Sequence, residues 1–122
     1  MQREAARLVQ ILHAAHLINE LVQGFDQITF QADVRTWSAV LYQLAVIREA
    51  SRRLSNEFRA SHPSVAGSGM IGLRNVIIHN YDTLDGTAIW QIVQVDLPNL
   101  SAQLETILSQ LSDDNASEQA QE

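Results

Sequence analysis

The chain contains no cysteine. That excludes disulfides, zinc–thiolate centres and thiol catalysis, and it is the usage expected of a cytoplasmic protein. Lysine is absent too, so all eight basic residues are arginine. Arginine stays charged when partly buried and forks onto phosphate or carboxylate; compositional bias is the simpler explanation of the missing lysine. Only two prolines occur, Pro63 and Pro98, and the five glycines are mostly clustered. No apolar run is long enough to suggest a membrane span. The first ten residues, MQREAARLVQ, are charged and amphipathic, unlike a secretory signal.

What is present is mostly acid and aliphatic side chain. A net charge of −6 argues against a general nucleic-acid binder. The distribution softens this. Asp113, Asp114, Glu118 and Glu122 all fall in the last ten residues, DDNASEQAQE. The remainder carries ten acids against eight arginines, or −2.

At 122 residues the length fits one domain. The pattern is helical throughout, with no sustained apolar–polar alternation. Leu8, Ile11, Ala15, Ile18 and Val22 define a first helix, stopped by Gly24. Phe30, Val34, Trp37, Leu41, Leu44, Ile47, Leu54 and Phe58 predict one long second helix over residues 29–60. Residues 61–69, SHPSVAGSG, read as a loop, and 70–80 as a short helix. A fourth helix opens near Asp85, a natural cap, and ends near Leu111. Its core face is Ile89, Trp90, Val93, Leu97, Leu100, Leu104, Ile107 and Leu111, and Pro98 should kink or split it. The expectation is an all-α, up-and-down four-helix bundle with a short additional helix over residues 1–111. A disordered acidic tail over 112–122 follows it.

One stretch carries chemistry. Residues 73–82 read LRNVIIHNYD, which sets Arg74, His79 and Tyr81 close together. Five residues along a helix is about 140° around its axis, so a straight helix cannot aim Arg74 and His79 at one atom. Either the helix ends near His79, or Arg74 of one copy meets His79 of another across a two-fold axis. Such a pair suits phosphoryl transfer on RNA without a metal. An imidazole can take the proton of the attacking 2′-hydroxyl or supply one to the leaving 5′-oxygen. A guanidinium can stabilise the charge that gathers at phosphorus. Equally, His79 could cap a helix C-terminus and Tyr81 could simply pack.

LRNVIIHNYD resembles the Arg-Asn-x-x-x-His-x-Tyr signature of HepT-like proteins, a branch of the HEPN superfamily. The flanks FQADVRTWSAVLYQLAVIREASRRL and IWQIVQVDLPNL are similar to that family's segments, so the resemblance covers roughly residues 5–111. Two positions depart from it: Gly67 stands about where a tryptophan is usual, and Arg48 replaces the glycine before the acidic residue, Glu49. The resemblance implies a homodimeric HEPN-type bundle that is the toxin of a toxin–antitoxin pair. The implied activity is that of a metal-independent, cofactor-free RNA endonuclease. Arg74 and His79 map onto the catalytic pair. The implied partner is a minimal nucleotidyltransferase antitoxin that uses ATP to attach AMP to Tyr81 and so silences the toxin. The competing class is a non-catalytic helical module that partners a nucleotidyltransferase.

Several residues have two readings. Arg48, Arg52 and Arg59 lie within about 40° of one another on a continuous helix. They form either a solvated face or a rail for RNA phosphates. Glu49 can pair with Arg53 or orient groups of the site. Asp33 can favour a first helical turn or serve the site. Asn75 can reach across a cleft or cap a backbone group. His13 and His16 have a spacing metals use, but no third ligand is in register, so no metal site is expected. His62 is read as solvated, and Trp37 and Trp90 as core or dimer contacts.

Overall fold

Four short polar side chains decide where helices begin. A computed structural model describes residues 2–65 and 85–121. Among these there is no strand. Helix α1 spans Gln2–Leu21, and the chain leaves it through Gly24 at φ 81°, a left-handed position that glycine adopts without strain. Asp26 then caps α2 (Gln27–Ala32). Its carboxylate accepts the Thr29 N–H at 2.8 Å while its own N–H donates to the Thr29 hydroxyl at 2.9 Å, a reciprocal capping box.

The long second helix expected over 29–60 is three helices. Asp33 takes an extended conformation and accepts the Thr36 N–H at 3.1 Å, starting α3 (Val34–Arg52). Ser55 does the same for Phe58 at 3.0 Å, starting α4 (Asn56–Ser61). Each break replaces intrahelical bonds with a side-chain cap, so its cost is small. The apolar stripe survives both breaks, with one exception. Val34, in the first turn of the restarted helix, is exposed rather than buried.

Of the loop expected over 61–69, residues 63–65 are helical with Val65 buried, and residues 66–69 lie outside the described residues. The helix expected at 70–80 lies outside the described residues. Asp85 caps α5 (Gly86–Gln91) as expected, accepting from Thr87 N at 3.0 Å and Ala88 N at 3.4 Å. A wide π-helical turn, Ile92–Asp96, links α5 to α6 (Leu97–Gln121). There the Leu97 N–H reaches back to the Ile92 carbonyl. Pro98, which has no N–H to donate, follows at once, so the expected split takes the form of a widened turn. Helix α6 continues beyond Leu111, so the polar stretch after Ser112 has helical backbone to Gln121. That stretch contains no glycine or proline to stop a helix.

Helix α1 packs mainly on α3 and α6, and α2 on α3 and α5. The shared core is aliphatic, with Leu8, Ile11, Ile18, Ile47, Ile89 and Leu104 fully enclosed. Each such side chain contributes about 1.5–3 kcal/mol by leaving water. Phe30 of α2 joins the layers: it lies 5.4 Å from the Trp37 ring of α3 and 5.2 Å from the Trp90 ring of α5. Both tryptophans are half-buried against the core. The expected helical bundle is therefore found. Among the described residues no helix is long and apolar enough to cross a membrane.

Candidate functional site

The chemistry-bearing motif, with Arg74, Asn75, His79 and Tyr81, lies outside the described residues. The described segments that precede it in sequence are the C-terminal end of α3 and α4.

Glu49 is the electrostatic centre of this face. Arg52 donates to it twice, Nη2 to Oε1 at 2.8 Å and Nε to Oε2 at 3.2 Å. Arg53 adds Nε to Oε1 at 3.1 Å. Spacings of three and four residues bring all three heads to one side of the last turn of α3. The Arg52 fork, with its charge and that of Arg53, holds the Glu49 carboxyl below the ordinary carboxylate range. The same pairing holds the Arg52 guanidinium above its ordinary value. All three side chains are about half exposed or more, so water competes for every one of these bonds. The expected Glu49–Arg53 pair is present, and Arg52 joins it.

Of the two readings of Arg48, Arg52 and Arg59, a rail or a solvated face, neither holds for all three as a line. That geometry needs one continuous helix, and the chain turns between Arg53 and Ser55. From α4, Arg59 points back and donates Nη2 to the carbonyls of Ser51 and Arg52 at 3.1 and 3.0 Å. It neutralises the negative end of α3 instead of facing solvent. Arg48 is exposed and makes no hydrogen bond or ion pair among the described residues.

Asp33 is engaged as the α3 cap. His62 stacks on the Phe58 ring at 4.5 Å, and its Nδ1 lies 3.2 Å from the Phe58 carbonyl, so it is not merely solvated. His16 meets Glu105 of α6 at 3.4 Å, both exposed. No group of three potential ligands that could hold a metal occurs among the described residues.

Two features have no short-range signal in the sequence. Glu4 of α1 accepts the backbone N–H of Ser55 at 3.1 Å, tying the start of α1 to the α3–α4 corner. A cleft of about 180 Å³ opens between α1 and the α5–α6 run, with His16, Asn19 and Ser101 at its polar edge and Pro98 in its wall.

A family described as "Ribonuclease HepT-like" matches residues 11–107, a span that includes LRNVIIHNYD. A Methanocaldococcus jannaschii protein whose assigned name is that of an RNase is 35% identical over 102 residues, covering 84% of this chain and 94% of that protein. A Thermococcus cleftensis protein named as a ribonuclease HepT is 32% identical over 100 residues, covering 82% and 91%. A Caldanaerobacter subterraneus protein also named as an RNase is 31% identical over 101 residues, covering 83% and 90%. No solved structure matches the chain significantly.

Proposed function

The chain belongs to the HepT-like ribonuclease family, and we propose that it is the toxin of a toxin–antitoxin pair, a metal-independent RNA endonuclease. The observation that carries this reading is a family match over residues 11–107, a range within which Arg74, His79 and Tyr81 fall. His79 moves protons and Arg74 offsets the charge that builds at phosphorus. The 2′-hydroxyl oxygen bonds to phosphorus and loses its proton to a base. The 5′-oxygen departs and gains one, leaving a 2′,3′-cyclic phosphate and a 5′-hydroxyl. Asn75, Glu49 and Asp33 support the site, Asp33 by fixing where α3 begins.

The protein acts in the cytoplasm as a homodimer, which allows Arg74 and His79 to converge from two copies. Its partner is a minimal nucleotidyltransferase that attaches AMP to Tyr81. The adenylyl group fills the cleft and gives Arg74 a phosphate to hold, which excludes RNA.

Expression of the wild type alone should arrest growth and degrade RNA, and His79→Ala should be harmless. Equal harmlessness of the two would favour the non-catalytic module. Co-expression with the neighbouring gene should add about 329 Da per AMP, a covalent mass change. A shift that survives Tyr81→Phe would assign the modification elsewhere.

A further inference from the structure

An acidic ribonuclease must bring a polyanion against its own field. This chain carries −6 overall, yet residues 48–59 hold Arg48, Arg52, Arg53 and Arg59 against only Glu49 and Glu57. That is half of the arginines in twelve residues, a local +2 against −8 for the rest of the chain. This stretch attracts a polyanion, while the rest of the chain on balance is negative.

The corner also has the right geometry. Around the last turns of α3, Arg48, Arg52, Glu49 and Arg53 follow in order across roughly 140°. Arg59 is withdrawn onto backbone carbonyls. Arg48 is free among the described residues, whereas Arg52 and Arg53 are pre-aimed by one exposed carboxylate. A guanidinium forks onto a phosphate with the same geometry as onto a carboxylate. The Glu49 hold is solvent-screened, so another anion can replace it.

We propose that the C-terminal turn of α3 is an RNA-phosphate contact, with Arg48, Arg52 and Arg53 as donors and Glu49 as a resident counter-ion that phosphate displaces. The proposal rests on the ribonuclease reading for its choice of anion. Glu49 then sets the threshold of binding: it keeps two guanidiniums aimed and makes RNA compete for them.

The test measures binding of a short 2′-O-methyl oligouridylate, whose blocked 2′-oxygen prevents cleavage, by fluorescence anisotropy over a range of salt. Combined Arg48→Gln and Arg53→Gln should weaken binding and flatten the plot of log affinity against log salt by about 0.7 per contact removed. Glu49→Gln should tighten binding. An unchanged salt slope in the double variant, or weaker or equal binding by Glu49→Gln with its helical circular dichroism intact, overturns the proposal. Cleavage of ordinary RNA is followed in parallel. Cleavage with unaltered slopes removes the phosphate contact and leaves the nuclease. Binding through these arginines without cleavage removes the nuclease and leaves the contact. A wild type that neither binds nor cuts removes both.

Discussion

Asp26 and Glu49 give up their protons more readily in the folded chain than in the unfolded one. For Asp26 the cause is the backbone N–H of Thr29, and for Glu49 it is the Arg52 fork. A depressed carboxyl contributes stability above its unfolded value, and loses it as pH falls through the folded one. Unfolding midpoints in urea should therefore decline as pH drops below 4.5 for Glu49 and 3.8 for Asp26, the ordinary values of these groups. Glu49→Gln and Asp26→Asn should each flatten that acid limb; a limb as steep as the wild type's would show that these bonds do not form in solution. Glu4 acts over distance instead. Truncation by Glu4→Ala strips the partly buried Ser55 N–H of its acceptor. It should cost about 1–3 kcal/mol in urea unfolding, the penalty of an unmet donor.

Phe30 is where three helices depend on one side chain. It is fully buried between Trp37 and Trp90. Phe30→Ala should cost about 3–5 kcal/mol and red-shift tryptophan emission as water reaches both indoles. Loss of stability without a change in emission would mean that the aromatic layer is held by other contacts. The helix boundaries show what is legible in the residues. Gly24 and Asp85 stop and start helices by local chemistry, which sequence displays. Asp33 and Ser55 are equally good caps, but Phe30, Trp37, Leu41, Leu44 and Ile47 keep helical spacing across the first break. Leu54 and Phe58 keep it across the second. Periodicity records which side faces the core, and a bent series of helices can keep the same side inward as a straight one does. The shared face of Arg48, Arg52 and Arg59 dissolves for the same reason. Arg59 aligns with Arg48 only if the helix is unbroken, and its true partners are carbonyls, which no side-chain pattern announces. The Glu4–Ser55 bond spans most of α1, α2 and α3 in sequence, so only the tertiary fold brings it together.

For the whole molecule, the spacing of Arg74 and His79 forces a choice that subunit mixing can read. If each site takes Arg74 from one copy and His79 from the other, then Arg74→Ala and His79→Ala chains, each inactive alone, should complement when mixed. In a two-fold dimer half of the molecules would be mixed, and each would hold one complete site of two. Recovery should therefore reach about a quarter of wild-type RNA cleavage. If both residues come from a single copy, no mixture restores activity, because every chain lacks one of the pair. The same experiment tests assembly itself. A monomer cannot complement at any ratio, and recovery that falls on dilution would track dissociation of the pair. The charge balance leads to the same expectation. A two-fold axis beside the α3 corner would place two arginine turns around one groove, doubling the local positive charge in a chain that is otherwise net negative. Complementation that rises and falls with the salt dependence set by Arg48, Arg52 and Arg53 would join the phosphate contact and the composite site in one assembly.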